Sequence, residues 1–217
     1  MNKRLLSFYA LVAVSIIGLT FFVLKHPISS FDINVTHEIQ QLKMGHLTSM
    51  MELISVFGDP AVALISIIIA SLFFFRYYHK REAYFTIATI LPDLFNILIK
   101  ILIHRPRPTL ENAKIVFKFT QTAFPSGHVV HYVVFFGFLL TVMIVNKKIP
   151  PFWRLFIGIS SVFLILTVPI SRIYLGAHWA TDVLGGYLFG FIYLGIILKF
   201  YLKSTALKRT KNAHTLP

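Results

Sequence analysis

The sequence predicts an all-α membrane protein, a polytopic bundle of six transmembrane helices with both termini in the cytoplasm. Of the 217 residues, 56% are hydrophobic and only 13% are charged, and the mean hydropathy is +0.74. Soluble domains carry about 25% charged residues, so this chain has too few to cover a soluble surface. A helix needs roughly 20 apolar residues to cross the hydrocarbon core. Six runs approach that length, at about 5–24, 55–75, 83–103, 129–146, 152–170 and 180–202.

Basic residues decide the predicted orientation of these spans. The chain has 21 Lys and Arg against 8 Asp and Glu, a formal net charge of +13. Of the 21 cations, 13 belong to the termini and to the segments that follow even-numbered spans, and 8 belong to the segments that follow odd-numbered spans. Because positive residues favour the cytoplasmic side, both termini are predicted to be cytoplasmic. This orientation explains most of the positive charge without a nucleic-acid partner.

We expect one domain over residues 1–202, followed by a basic, disordered cytoplasmic tail at 203–217. The first apolar run follows Lys3 and Arg4, as a signal peptide would. It is longer than the roughly 7–15 apolar residues of a signal peptide, and no small-residue cleavage site follows Leu24. These features favour an uncleaved first span.

The segment 26–54 is predicted to contain a short interfacial helix. Its apolar residues recur at steps of four, four and three, at Phe31, Val35, Ile39 and Leu42. This spacing places them on one face of a helix, which we expect to lie on the outer membrane surface.

Three short polar segments lie at the predicted outer ends of spans, where ionisable groups are costly. The first runs from Lys100 to Pro108. Lys100 and Arg107 are seven residues apart, two helical turns, so they would share one side if the helix continued. Pro106 and Pro108 predict instead that the helix ends before them. The alternative is that these cations only anchor a span by reaching the interface.

The second segment opens the fourth span with Phe-Pro-Ser-Gly-His. Ser126 is a candidate N-cap, and the amides from Gly127 onward form a helix N-terminus, which suits an anion. His128 and His131 lie three residues apart and could share a face or bind a metal together. The alternative is an ordinary capped turn before an apolar helix.

The third segment runs from Ser171 to Asp182 and includes Arg172. His178 and Asp182 are four residues apart, adjacent on one helical face. A carboxylate bonded to one imidazole nitrogen leaves the other nitrogen basic, which would make His178 a nucleophile. The alternative is a buried ion pair that stabilises the bundle. Asp182 and Asp93 are the only acidic residues expected at membrane depth.

Together the three segments suit a phosphoryl group in transfer, whose negative charge spreads over three oxygens. Three cations would stabilise that charge, namely Lys100, Arg107 and Arg172. A metal site built from His128, His131 and Asp182 would add a dication to these cations and supply only one carboxylate. The chain also has no cysteine for a thiolate zinc site. We therefore expect no metal and no other cofactor.

These segments resemble the type 2 phosphatidic acid phosphatase superfamily, whose pattern is K-x6-RP, then PSGH, then SR-x5-H-x3-D. All three motifs are complete here, at Lys100–Pro108, Pro125–His128 and Ser171–Asp182. The resemblance implies a metal-independent phosphatase that works through a phosphohistidine. It implies that His178 is the nucleophile, that Asp182 orients it, and that His128 is the acid and then the base. By the same resemblance, phosphate is bound by Lys100, Arg107, Ser126, Gly127 and Arg172.

The same pattern occurs in vanadium-dependent haloperoxidases and soluble acid phosphatases, but six spans favour the membrane lipid phosphatases. The resemblance to bacterial members implies a lipid phosphate substrate, such as phosphatidylglycerophosphate, undecaprenyl pyrophosphate or phosphatidate. It also implies a multi-pass protein of the cell membrane, with the site on the extracytoplasmic side. No obligate protein partner is evident from the sequence. Two alternatives stay open. One is a lipid phosphotransferase that uses the same phosphohistidine, and the other is a non-enzymatic lipid carrier.

Four residues outside the motifs are candidate secondary site residues. Arg105 is expected to contact either a lipid headgroup or only the membrane interface. Asp93 and Asn96 precede Lys100 by seven and four residues on its helix face. They are expected either to hold Lys100 in place or to satisfy each other. His131 is expected to line the site rather than to bind metal.

Overall fold

A computed structural model describes residues 3–42, 46–77, 80–116 and 122–213, and within these ranges the chain is helical and has no β-strand. The described residues form ten α-helices, namely α1 (Lys3–Lys25), α2 (Ser30–Gln40), α3 (Leu47–Ser55), α4 (Pro60–Arg76), α5 (Lys80–Ala88), α6 (Leu91–Ile103), α7 (Gly127–His131), α8 (Gly137–Val145), α9 (Pro151–Tyr174) and α10 (Ala180–Ala213). A 3₁₀ turn at Val56–Gly58 joins α3 to α4, and a π-helical turn at Tyr132–Phe136 joins α7 to α8.

The described helices confirm the predicted all-α membrane bundle. In the part of the chain that the structure describes, five stretches are long and apolar enough to cross a membrane: Leu6–Lys25, Lys80–Ile103, Gly127–Val145, Pro151–Tyr174 and Ala180–Ser204. A sixth crossing is possible for the pair Leu47–Gly58 and Pro60–Arg76, which is bent by 60°. Each of the six predicted spans therefore has a helical counterpart. The second differs from the prediction because its helix is broken at Asp59.

The stretch Gly127–Val145 forms the centre of the bundle. In its most apolar part 67% of the residues are buried, against 33% or less in the other four stretches. Helix α10 packs directly against it, because a Cβ added at Gly186 would lie 2.8 Å from Val129 Cβ. A Cβ added at Gly190 would lie 2.8 Å from Val133 Cβ. Small residues allow helix backbones to approach closely in membranes. This contact fixes the start of α7 against the first turns of α10.

The segment 26–54 holds two helices, α2 and α3, where the sequence predicts one short interfacial helix. The buried residues of α2 are polar: Asp32, Thr36 and Gln40. Phe31 and Leu42 are 56% and 50% exposed, whereas Val35 and Ile39 pack against the core. The placement of this segment on the outer membrane surface stays a prediction. Asp32, on the inward polar side of α2, meets the buried guanidinium of Arg105.

The far end of the bundle holds a buried charged cluster. Glu82 is 4% exposed, pairs with Arg81 at 2.7 Å and accepts a hydrogen bond from Tyr201 Oη at 3.2 Å. This contact joins α5 to α10. Glu82 is the third residue of the apolar stretch Lys80–Ile103, so a third acidic residue lies at the end of a helix that can cross the membrane.

The predicted tail at 203–217 is helical over most of its length. Helix α10 continues to Ala213, so the prediction of a disordered tail is wrong over 203–213. Residues 214–217 lie outside the described residues.

Candidate active site

The three polar segments meet around one cavity of about 440 Å³. Six of the eight predicted catalytic and phosphate-binding residues line it, namely Lys100, Arg107, Gly127, His128, Arg172 and His178. The other two, Ser126 and Asp182, are fully buried next to it. Residues from four parts of the chain thus form a single concave site.

The end of α6 brings the first two cations to the cavity. The helix ends at Ile103, and His104 adopts a φ of 53°, in the left-handed region that commonly terminates helices. The helix therefore ends before Pro106, as the prolines predict. The chain turns here, so Arg107 reaches the same cavity as Lys100 without a continuous helix between them.

Hydrogen bonds fix both cations to the surrounding loops. Arg107 Nη1 donates to the carbonyl of Ala177 at 2.7 Å, next to the candidate nucleophile. Lys100 Nζ donates to the carbonyl of Thr122 at 2.7 Å. Burial lowers the pKa of Arg107 to about 10, so its guanidinium remains charged at neutral pH.

A chain of hydroxyl groups positions the third cation. Arg172 Nη1 donates to Ser55 Oγ at 3.0 Å, and Ser55 Oγ lies 2.6 Å from Ser171 Oγ. Ser171 Oγ in turn donates to the carbonyl of Met51 at 2.6 Å. The serine that precedes Arg172 in the motif therefore holds it indirectly, through a residue of α3 that the sequence analysis did not identify.

The candidate nucleophile lies in a turn rather than on a helical face. Helix α10 begins at Ala180, so the predicted helical pairing of His178 with Asp182 is wrong in its local structure. The two side chains are nevertheless close, with Nδ1 of His178 3.5 Å from Oδ2 of Asp182. The same oxygen accepts a hydrogen bond from the Trp179 amide at 2.8 Å. The carboxylate thus faces Nδ1 and leaves Nε2 as the nitrogen that can react.

The environment of His178 favours a neutral imidazole. Burial lowers its pKa well below the usual value, and the positive charges of Arg107, Lys100 and Arg172 lower it further. A neutral imidazole keeps the lone pair that a nucleophile needs. The same cations that would bind a phosphate therefore also keep His178 in its reactive form.

Arg105 contacts neither a headgroup nor the membrane interface, so both expectations for it are wrong. Its side chain is fully buried, and its guanidinium pairs with Asp182 through Nη1 and with Asp32 through Nη2 at 2.7 Å. Thr181 joins the same network, since its amide donates to Asp32 at 2.9 Å. Arg105 can be buried because its guanidinium pairs with two buried carboxylates at once. Through this contact Arg105 holds Asp182, the carboxylate that faces His178.

Asp93 was expected either to hold Lys100 or to pair with Asn96, and both expectations are wrong because it pairs with His131. Its Oδ2 lies 3.1 Å from Nδ1 of His131, and both residues line the cavity. Asn96 also lines it, and Asn96 Nδ2 lies 3.0 Å from the position of a Cβ added at Gly127. Glycine at the start of α7 therefore allows Asn96 to approach the helix N-terminus.

The structure does not bring the considered metal ligands together. His128 faces Asp59 at 3.3 Å and His131 faces Asp93, while Asp182 lies with Arg105. Among the residues that the structure describes, no group of three His, Asp or Glu side chains is arranged to hold a metal ion. The histidines instead form separate pairs, each with its own carboxylate.

Ser126 occupies the N-cap position of α7, but its side chain does not cap the helix. Its hydroxyl is buried and has no hydrogen-bond partner among the described residues. Buried polar atoms without partners are rare and call for an explanation. A donor that is kept for a bound oxyanion, beside the amides of a helix N-terminus, is one such explanation.

Comparison with known proteins identifies the family. The profile of the PAP2 superfamily matches residues 81–206. The chain belongs to the PAP2 superfamily. It is 30% identical over 185 residues to phosphatidylglycerophosphatase B of Bacillus subtilis (strain 168), an alignment that covers 82% of this chain and 84% of the relative. The resemblance that the motifs indicate is confirmed.

Two solved structures share the fold of this PAP2 protein. One is the transmembrane PAP2-type phosphatidylglycerolphosphate phosphatase from Bacillus subtilis, with a TM-score of 0.76, 23% identity, and coverage of 90% of this chain and 96% of that one. The other is LpxE of Aquifex aeolicus, with a TM-score of 0.62, 21% identity, and coverage of 79% and 96%. The chain is a multi-pass membrane protein with the PAP2 fold.

The PAP2 match begins in α5 and leaves out α1 to α4. Three polar residues that the sequence analysis missed lie in this earlier part: Asp32 behind Asp182, Ser55 beside Arg172, and Asp59 beside His128. Asp59 has a local signal, because an aspartate before a proline in an apolar run indicates a helix break. Asp32 follows the N-cap Ser29 at capping-box spacing, which indicates a helix start but not its contact with Arg105. Ser55 carries no signal.

Proposed function

We propose that this PAP2 protein is a metal-independent lipid phosphatase that hydrolyses a phosphomonoester or pyrophosphate of a membrane lipid. The observation that carries the proposal is a buried His178 on a cavity lined by Lys100, Arg107 and Arg172. A nucleophile among three cations suits a phosphoryl group better than any neutral substrate. The named Bacillus subtilis relative makes phosphatidylglycerophosphate the first substrate to test, with undecaprenyl pyrophosphate and phosphatidate next.

The reaction then has two steps. In the first, Nε2 of His178 attacks phosphorus and the bond from phosphorus to the leaving oxygen breaks, as His128 donates a proton to that oxygen. The leaving oxygen is the lipid oxygen of a monoester or the bridging oxygen of a pyrophosphate. In the second, water attacks the phosphohistidine, His128 accepts a proton from the water, and the bond from phosphorus to nitrogen breaks. Asp182 orients His178 and offsets the positive charge that develops on it.

The walls of the cavity support a lipid substrate. Beyond the charged residues, the cavity is lined by apolar side chains of two helices, α4 and α6, namely Ala63, Leu64, Ile67, Leu94 and Ile97. These helices belong to stretches that can cross the membrane. An acyl or prenyl chain can therefore lie against α4 and α6 while its phosphate contacts the cations.

Charge supports an extracytoplasmic site. The ends of the helices opposite the cavity carry Arg76, Lys80 and Arg81 between α4 and α5, and Lys147 and Lys148 between α8 and α9. Because short basic segments favour the cytoplasm, we propose that these ends are cytoplasmic. The cavity then faces outward, and both termini lie inside.

We expect hydrolysis to continue undiminished in excess EDTA, because three cations already neutralise the phosphate. The test measures inorganic phosphate released by the purified protein from one purified lipid phosphate, with and without chelator. Activity that is lost with EDTA and restored by Mg²⁺ or Zn²⁺ would contradict the proposal. Consumption of the lipid without release of inorganic phosphate would favour a phosphotransferase.

Replacing His128 with alanine should slow phosphorylation of the enzyme more for a lipid monoester than for p-nitrophenyl phosphate. A lipid alkoxide must be protonated as it leaves, whereas p-nitrophenolate need not be, and general acids contribute about 10²–10⁴-fold. Single-turnover phosphorylation measures the difference, and His131→Ala is the matched control. An equal loss on both substrates would show that His128 only binds phosphate, which would make His131 the next candidate acid.

A further inference from the structure

Asp59 lies at the break between α3 and α4 and lines the cavity. Its Oδ1 is 3.3 Å from Nε2 of His128. Asp59 occupies the N-cap position of α4, yet its side chain makes no capping hydrogen bond. An aspartate at this position usually caps its own helix. This carboxylate is instead directed at a histidine on another helix.

The backbone next to Asp59 holds the ring of His128 in place. A Cβ added at Gly58 would lie 2.3 Å from Cδ2 of the imidazole and 2.5 Å from its Cγ. Only a glycine can therefore stand where the ring packs against the turn Val56–Gly58. The imidazole is placed between this backbone and the carboxylate, so its orientation is set by two consecutive residues.

The charges around the cavity explain why His128 needs such a partner. In both proposed steps His128 carries a proton at some stage, yet the cavity is lined by three cations. Among the described lining residues, the carboxylates are Asp59 and Asp93, and Asp93 faces His131. Asp59 is therefore the lining carboxylate that can stabilise an imidazolium at His128. An opposite charge within about 4–6 Å favours the charged form of a titratable group.

We propose that Asp59 is a positioning residue for His128, and that it forms a second histidine–aspartate pair beside that of His178 and Asp182. The proposal rests on the proposed function, because it concerns the acid and base of that reaction. Asp59 stays ionised throughout. The proton moves from His128 to the lipid oxygen as the bond from phosphorus to oxygen breaks, and later from water to His128 as the bond from phosphorus to nitrogen breaks.

The first test replaces Asp59 with asparagine, which has the same shape and no charge. Single-turnover phosphorylation of the enzyme is measured with a purified lipid monoester and with p-nitrophenyl phosphate. We expect a loss of about 10–100-fold on the lipid, the size of effect that follows loss of a carboxylate partner behind a metal-binding histidine, and a loss of less than about threefold on p-nitrophenyl phosphate. The matched control is Asp93→Asn, which removes the other lining carboxylate and should not change the ratio of the two rates.

The second test is a double-mutant cycle. If Asp59 acts through His128, Asp59→Asn should have no further effect in a His128→Ala background, because coupled residues are not additive. Asp59→Glu, which keeps the carboxylate, should recover part of the lipid activity. Independent, additive losses would overturn the proposal, and so would equal losses on both substrates.

The two proposals fail in different ways. A wild-type protein that releases no phosphate from any lipid phosphate or from p-nitrophenyl phosphate would overturn the proposed function. A wild-type protein that is active, together with an Asp59→Asn variant that is unchanged on the lipid, would overturn only the role of Asp59.

Discussion

Replacing His178 with alanine should abolish the phosphoenzyme and lower turnover by about 10⁴-fold or more, as loss of a covalent nucleophile does in other hydrolases. The cavity would still hold its three cations, so substrate should still bind. Acid destroys a phosphohistidine, so the reaction with a ³²P-labelled lipid is quenched with alkali during the first turnover, before water releases the phosphate from the enzyme. The wild type should retain label, and the variant should not.

The matched control for this experiment is His131→Ala. His131 lines the same cavity and is 2% exposed, against 1% for His178, so the two variants remove similar buried side chains. The control should still form the phosphoenzyme, because His131 faces Asp93 and has no proposed bond to phosphorus. A His178→Ala variant that keeps substantial turnover, or a control that loses the label, would remove His178 as the nucleophile.

The core of this site is predictable from sequence because its chemistry lies within short segments. Lys100 and Arg107, or His178 and Asp182, are separated by a few residues, so local geometry keeps them close whatever the rest of the fold does. The local structure still differs from the predicted helical pairing. His178 lies in a turn and not on α10, and its distance to Asp182 is set by the tight turn between them.

The partners of these residues were not predictable, because they are single polar residues far away in the chain. Asp32 precedes Arg105 by 73 positions, and Ser55 precedes Arg172 by 117. Ser55 belongs to no local pattern. Asp32 stands three residues after Ser29, the N-cap of α2, and this capping-box spacing indicates only the start of a helix. Nothing local indicates that Arg105 meets this carboxylate, although a buried aspartate is favourable only with such a partner. These partners are therefore identified by tertiary contacts and not by any pattern in the sequence.

The helix boundaries are likewise predictable where their cause is local in the sequence and not predictable where it is not. The six apolar runs predict the spans because the bilayer requires a continuous apolar length. The break between α5 and α6 precedes Pro92, which explains it locally, since proline cannot donate its backbone hydrogen bond. The π-helical turn at Tyr132–Phe136 follows His131 at the site and has no sequence signal of its own. Such turns are frequent at functional sites, where they re-aim side chains.

Replacing Arg105 with leucine should lower the stability of the protein and slow phosphorylation of the enzyme. The substitution leaves two fully buried carboxylates, Asp32 and Asp182, without their cation. Removing one partner of a buried charge pair costs roughly 3–5 kcal/mol, so the Tm of the purified protein in detergent should fall clearly. Phosphorylation should slow as well, because Asp182 would be free to move away from Nδ1 of His178.

Two further variants separate the loss of stability from the loss of orientation. Arg105→Lys keeps the buried charge, but an ammonium lacks the planar fork that lets one guanidinium contact both carboxylates. Its Tm should fall less than that of Arg105→Leu, while its single-turnover rate should remain well below that of the wild type. Asp32→Asn leaves Arg105 to Asp182 alone, so that rate should change little. If Arg105→Leu kept both its Tm and its rate, the Trp179 amide would be sufficient to hold Asp182, and Arg105 would have no part in positioning the nucleophile.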